Sequence, residues 1–300
     1  MSELGPGLYL VHKPVGPTSF SAVRAFQEEA RARPGKRLRV CHGGTLDPFA
    51  RGLLVLLAGP ATRLMDLLHA APKAYEAEIA WGAETDTGNP MGRVLSRGDP
   101  SALSPQVLEA ALSRFVGWRD QVPPPTSAKK IEGEPAYRRV ERGEQVELPP
   151  SRVYLHEAHF LSHSLPERSR IALTCRGGFY VRALARDLGR ALGCGAHLAS
   201  LDRTAIGPWR DPGPGGRVAV RGEEIFPWYP ARPLSDAEVG ELRKGGAIPR
   251  GEVREPGWKF PGGFPSPPPR IRAFHLGHLV ALLEERDGVL RTAVDLRPGL

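Results

Sequence analysis

The residue types best placed to do chemistry lie in one stretch, Cys41-His42-Gly43-Gly44-Thr45-Leu46-Asp47-Pro48-Phe49-Ala50-Arg51-Gly52. It holds a single acid, Asp47. A carboxylate kept ionised can act covalently in sugar chemistry, or stabilise positive charge growing at an anomeric carbon. Either role requires rigid presentation. Gly43, Gly44 and Gly52, with Pro48 directly after the acid, describe a shaped loop that lets another backbone approach closely. Leu53 to Leu57, bounded by Gly52 and Gly59, then reads as a buried strand that anchors the loop in the core. The ordinary role of an Asp-Pro pair is a turn or a helix cap, so Asp47 needs companions before it can be read as chemical.

Those companions come from elsewhere in the chain. In Cys175-Arg176-Gly177-Gly178-Phe179-Tyr180-Val181-Arg182, two glycines allow a tight strand-to-helix turn. The helix that follows places Val181, Leu184, Leu188 and Leu192 inward, with Arg182, Arg186 and Arg190 at intervals of four. A helix start favours an anion, and the fork of Arg182 in the first turn suits a carboxylate. Lys73 to Trp81 alternates Tyr75, Ala77, Ile79 and Trp81 against Glu76 and Glu78, which predicts a strand with Tyr75 at its inward end. Leu8 to His12 reads as a short strand that delivers Lys13-Pro14-Val15-Gly16-Pro17, a proline-locked turn carrying one lysine.

Taken together, Gly-Gly-Thr-Leu-Asp-Pro-x-Ala-x-Gly-x-Leu resembles the catalytic loop of the TruB family of tRNA pseudouridine synthases. Lys13-Pro14-x-Gly16, Lys73-Ala74-Tyr75, Gly178-Phe179-Tyr180-Val181-Arg182, Gly193-Cys194-Gly195-Ala196-His197-Leu198 and Leu201-Asp202-Arg203-Thr204 are similar to further motifs of that family. The strong resemblance runs from about Leu8 to Ile206. It implies that Asp47 is catalytic and paired with Arg182, which would favour its charged form. It also implies that Tyr75 stacks on a flipped uracil over Leu201, with Tyr180 beside them. His42 would hold the extruded RNA loop, and Lys13 would flank the cleft. The implied reaction breaks the bond between uracil and C1′, turns the base and rejoins it through C5, with no metal or cofactor. Attack of Asp47 on C1′, attack on the base and elimination to a glycal all fit, and Tyr75 is a candidate to take the C5 proton. The implied substrate is the T-loop uridine of tRNA, position 55, modified by a stand-alone monomer without a guide RNA or an obligatory protein partner. Two other functions stay open: an RNA chaperone, which would not need a charged Asp47, and a guide-dependent relative, which would need partners.

Composition agrees with a polyanionic partner. The chain has 300 residues and a formal net charge of +8, with a sequence pI near 9.7. That balance favours nucleic acid, and the arginine-rich basic set suits phosphates and bases. Cys41, Cys175 and Cys194 form no C-x-x-C pair, so a reducing cytosol is expected. No leader and no run of eighteen apolar residues is seen, so neither export nor membrane insertion is indicated. His156, His159 and His163 fall on a predicted strand at spacings that point to alternating faces, away from a shared metal site. A single asparagine, Asn89, and abundant proline hint at a thermophilic source.

The expected fold is α+β. A mixed, largely antiparallel central sheet with flanking helices is expected in a catalytic domain over 1–225, because strands and helices alternate irregularly. Residues 121–150, with interleaved Lys, Arg and Tyr, read as an exposed insertion that is either an RNA-gripping element or a solvated charged face, and the resemblance implies an RNA-clasping thumb. Residues 226–300, with glycine-linked strand-like pieces, are expected to form a small β-rich domain, which the resemblance implies to be a PUA-like RNA-binding module. The Pro/Gly-rich piece Glu255 to Pro269 departs from a compact module of that kind. Ser19 is expected to cap a helix running to about Arg33, with Phe20, Val23 and Phe26 on its buried face and Pro34-Gly35 as the stop.

Overall fold

The computed structural model describes residues 4–31 and 38–300. Strand β1 (Gly7–Lys13) and helix α1 (Ser19–Arg31) come first, and strands β2 (Val40–His42) and β3 (Arg51–Ala58) bracket the Asp47 loop. A 3₁₀ helix (Gly59–His69) leads to β4 (Lys73–Trp81), the hairpin of β5 (Ala83–Thr85) and β6 (Val94–Arg97), helix α2 (Pro105–Ser113) and β7 (Gly117–Gln121). The 121–150 segment carries β8 (Lys130–Ile131), β9 (Glu134–Pro135) and α3 (Ala136–Glu141). There follow β10 (Ser151–Ser164), β11 (Arg168–Cys175), α4 (Val181–Ala191), β12 (Ala196–Ile206), β13 (Trp209–Arg210) and β14 (Arg217–Val220). The last part contains β15 (Ala231–Pro233), α5 (Asp236–Arg243), β16 (Ile248–Pro249), β17 (Ile271–His275), β18 (His278–Arg286) and β19 (Val289–Asp295).

A ten-stranded sheet runs in the order β14-β1-β3-β12-β4-β11-β10-β7, with β2 on β3 and β13 on β12. Within it, only β3 and β12 pair in parallel, and the other pairs are antiparallel, as expected of an α+β fold. Side chains alternate faces along a strand. In β4 this buries Lys73, Tyr75, Ala77, Ile79 and Trp81 on one side and leaves the residues between them half-exposed. That face packs with Val153, Leu155, Ile171 and Leu173 from the neighbouring strands and with Leu184 and Leu188 of α4.

The order of strands explains how distant residues meet. The Asp47 loop feeds β3, whose Gly52 lies opposite Arg203 of β12. In the next pairing, Arg203 and Leu201 of β12 lie opposite Tyr75 and Ala77 of β4. Tyr75 in turn faces Leu173 of β11, and β11 runs into the turn before α4. One end of the sheet therefore gathers the loop, both strand residues and the helix start.

A second, five-stranded sheet in the order β15-β17-β18-β19-β16 follows the large one. One of its faces has a core of its own, with Val239, Leu242, Ile248, Leu283 and Leu290, and the other shares one with the large sheet. Phe226 is fully buried in a cluster that joins Leu8, Leu53 and Leu57 of the large sheet to Phe274, Leu279, Leu282 and Leu296 of the small one.

Several local expectations are corrected. Thr18, not Ser19, caps α1: its hydroxyl accepts the Ser21 N–H at 3.1 Å. Phe20 points outward at 55% exposure, with the Arg24 guanidinium over its ring, while Val23 and Phe26 are buried. The stop at Pro34-Gly35 lies outside the described residues. On α2, Val107 is exposed, whereas Leu108, Leu112 and the following Phe115 are buried. Among the described residues no helix is long and apolar enough to cross a membrane, and no group of His, Cys, Asp or Glu is placed to hold a metal ion.

Candidate active site

A cavity of about 310 Å³ opens where these elements converge, lined by Asp47, Tyr75, Tyr180, Arg182 and Leu201 among others. Its size is at the low end for a small-ligand pocket, about 300–1,000 Å³. Arg182 grips Asp47 side-on: Nη2 donates to Oδ1 at 3.1 Å and Nε lies 2.8 Å from Oδ2. The guanidinium is buried, while the carboxylate remains partly open to the cavity. Two elements fix the other edge of Arg182. Nη1 donates to the Thr87 carbonyl at 2.7 Å and to Thr126 Oγ1 at 2.8 Å. Burying an arginine requires that its donors be satisfied, and this one is held from three segments.

The Asp47 loop is clamped from beneath by Arg203, one of the largest fully buried side chains. Arg203 Nε donates to the Leu53 carbonyl at 2.7 Å, Nη2 to Gly44 at 3.2 Å and Nη1 to Thr45 at 3.3 Å. The approach is so close that only glycine fits opposite: a Cβ on Gly52 would lie 2.4 Å from the Arg203 carbonyl oxygen. Ser19 secures the same loop, donating to the Leu46 carbonyl at 3.0 Å and accepting the Leu46 N–H at 2.8 Å.

Two expected site residues lie outside the cavity lining. Lys13 is 1% exposed, and its ammonium donates to the carbonyls of Pro14 at 2.8 Å and Ala50 at 2.7 Å. It fastens the loop from behind, where bulk RNA cannot reach it. Burial lowers its pKa to about 8, with Arg203 acting in the same direction and Asp47 against it. His42 sits on β2 opposite Leu56, with Nδ1 buried and unpartnered. Burial, reinforced by the Arg203 charge, lowers its pKa.

The floor is more cationic than motif reading suggests. Lys73 lines the cavity and donates to the Leu68 carbonyl at 2.8 Å. Burial, then the charge of Arg203, brings its pKa down to about 7. Arg176 and Arg203 line the same space. Tyr75 is pushed the other way, up to about 12, because burial disfavours the phenolate. Its ring therefore remains neutral at ordinary pH, which suits a stacking wall better than a base. Burial also raises the Tyr180 phenol.

The sequence assigns Arg203, Thr126, Gln121 and Lys73 no role in the site, and Ser19 only a helix cap. A signal existed for Arg203 and Lys73: each stands two residues from an expected site residue on one strand, Leu201 and Tyr75 respectively, hence on the same buried face. In the 121–150 segment, composition overstates the charge available for gripping RNA. Arg139 pairs with Glu132 and Glu134, and Arg142 pairs with Glu134 and Glu144. The helical row after Arg182 is likewise paired, Arg186 with Asp187 and Arg190 with Glu84.

Residues 31–181 match the family model described as TruB family pseudouridylate synthase (N terminal domain). A protein of Xanthomonas campestris pv. campestris (strain B100) named tRNA pseudouridine synthase B is 44% identical over 206 residues, covering 69% of this chain and 65% of that protein. This chain belongs to the TruB family. A second model, tRNA pseudouridylate synthase B C-terminal domain, matches residues 182–213. The match thus spans just under two thirds of the Xanthomonas relative's length. A Bordetella pertussis (strain Tohama I) relative of the same name is 41% identical over 206 residues, covering 68% of this chain and 82% of that one. Among solved structures, that of a Cbf5-Nop10-Gar1 complex superposes with a TM-score of 0.66 at 19% identity, covering 97% of this chain and 84% of that one. An H/ACA RNP bound to a substrate RNA gives 0.65 at 17%, covering 97% and 85%. At such identities the likeness speaks to the TruB fold alone.

Proposed function

We propose that this chain isomerises the T-loop uridine at tRNA position 55 to pseudouridine, acting as a stand-alone monomer without a guide RNA. The observation that carries the reading is the Asp47–Arg182 ion pair at a cavity walled by Tyr75, Tyr180 and Leu201. A uridine must leave its stack to reach Asp47, and an aromatic wall with an apolar floor offsets part of the unstacking cost. Tyr75 and Leu201 are fixed on adjacent strands, so this receptacle is preorganised. The C1′–N1 bond then breaks, and Asp47 meets the positive charge or the electrophilic carbon that results. The departing base carries the electron pair, and the charge of Arg203, which lines the same cavity, offsets it. After rotation, C5 bonds to C1′ and its proton leaves to a base. The names of the Xanthomonas and Bordetella relatives support the tRNA substrate.

Asp47→Asn tests this reading, since it preserves size and hydrogen bonding while deleting the charge. Turnover, read as tritium release from C5-labelled uridine in a tRNA transcript, is expected to vanish while tRNA affinity by filter binding changes little. An Asn variant with near wild-type turnover would discard the carboxylate mechanism in favour of an RNA chaperone. Arg182→Lys keeps the charge but cannot span the fork, and a loss on the order of 10²-fold is expected.

A further inference from the structure

The cavity has a neighbour that the isomerisation does not use. Trp118 lies on β7, the edge strand of the large sheet, and is 45% exposed, whereas Trp81, Trp209 and Trp228 are buried. The strand register aims Trp118. Arg119 of β7 pairs with Val153, whose side chain is in the core, so Trp118 and its partner Tyr154 project from the opposite face. Their rings lie 5.1 Å apart, tilted by 48°. Tyr154 is immobilised from behind: its hydroxyl donates to the Gly263 carbonyl at 3.1 Å, and Phe264 meets its ring edge-on at 5.6 Å. Both contacts come from the Pro/Gly-rich segment that departs from a compact C-terminal module.

Arg176 connects this surface to the cavity. It lines the cavity, its guanidinium lies 5.9 Å from the indole centroid, and its backbone N–H donates to the Tyr154 carbonyl at 3.0 Å. Among the described residues no carboxylate lies within ion-pair distance of Arg176, in contrast to Arg182, Arg186 and Arg190. An aromatic platform with a cation beside it is what an unpaired nucleotide needs, the ring for its base and the cation for its phosphate.

Building on the function proposed above, we infer that Trp118, backed by Tyr154, is a stacking site for an unpaired base of the RNA next to the uridine held in the Asp47 cavity. Arg176 meets the phosphate that links the two nucleotides. Stacking of this kind is sequence-tolerant, because every base offers a π face.

The test uses the full chain and a synthetic T-arm hairpin RNA, intact or with an abasic residue at each loop position other than the target. Trp118→Ala is expected to weaken binding roughly 5- to 100-fold, and Trp118→Phe to restore most of it. One abasic position beside the target is expected to cost wild type a similar factor and to cost Trp118→Ala nothing further. Arg176→Ala is expected to reduce the slope of log affinity against log salt by about 0.7, while Trp118→Ala leaves that slope unchanged. Unaltered binding by Trp118→Ala, or additive losses with every abasic RNA, overturns the stacking site while conversion of the intact hairpin leaves the isomerase reading in place. Failure of wild type to convert the intact hairpin removes both.

Discussion

Gln121 and Tyr180 are joined by two reciprocal hydrogen bonds: the Gln121 amide oxygen accepts the Tyr180 N–H at 2.9 Å, and its nitrogen donates to the Tyr180 carbonyl at 3.1 Å. The pairing fastens the start of α4, and with it Arg182, to the root of the 121–150 segment. Gln121→Ala leaves a part-buried N–H unpaired and the carbonyl short of a donor, an expected loss of about 1–3 kcal/mol. A freed Tyr180 and Arg182 are expected to slow turnover on the order of 10- to 100-fold with tRNA affinity little changed. Denaturant unfolding and single-turnover tritium release check the two numbers, and unchanged turnover would show that the pair does not position the site.

Adjacent hydroxyls at the start of α1 do different work. Thr18→Ala removes a helix cap and is expected to cost about 1 kcal/mol of stability with turnover intact. Ser19→Ala deprives the Leu46 N–H and carbonyl of their buried partner and is expected to lower turnover by 10-fold or more, because Asp47 is the next residue. Equal effects of the two on turnover would contradict the assignment.

The buried lysines give the fold a pH dependence of definite sign. Lys73 titrates near 7 in the folded chain and near its ordinary 10.5 when unfolded, so between these values the unfolded chain binds more protons. Stability therefore rises with pH above about 7, by at most about 1.4 kcal/mol per unit per proton. Lys13 adds a second contribution of the same sign above about 8. Cys175 and Tyr75, both raised to about 12, begin to oppose this only above their unfolded values of 9.0 and 10.0. Urea midpoints between pH 7 and 8 are expected to climb in wild type and to flatten in Lys73→Met. A falling wild-type midpoint across that window would refute a lowered Lys73.

The expected division at 225 passes through a shared core. Cutting there removes Phe226, Trp228, Tyr229, Phe274, Leu279 and Leu282 from the cluster that covers Leu8, Leu53 and Leu57. Each such side chain contributes about 1.5–3 kcal/mol on burial, against a total stability of about 5–15 kcal/mol. A chain of 1–225 is therefore expected to be insoluble or to lose cooperative melting, rather than to retain turnover with weakened RNA binding. Soluble yield and thermal denaturation decide, and a cooperatively folded, active 1–225 would refute it.

What the sequence determined by itself is the local record of burial. Alternation in Lys73 to Trp81 marks which side chains face inward, because a strand turns successive side chains to opposite faces. The same rule underlies the inward line of Val181, Leu184 and Leu188 on α4. Even the parts of the site that motifs supply, Asp47, Tyr75, Arg182 and Leu201, were legible because their types and neighbours carry the family's pattern. Partners across the chain were not legible. Arg203 beneath Gly44, Gln121 on Tyr180 and Ser19 on Leu46 depend on the strand order that sets β3 beside β12 and β12 beside β4. Periodicity says which face of an element is buried and is silent on what lies against it. For that reason neither the burial of Lys13 against the Pro14 and Ala50 carbonyls, nor the burial of His42 Nδ1, nor the packing of Trp118 on Tyr154 was legible in the sequence.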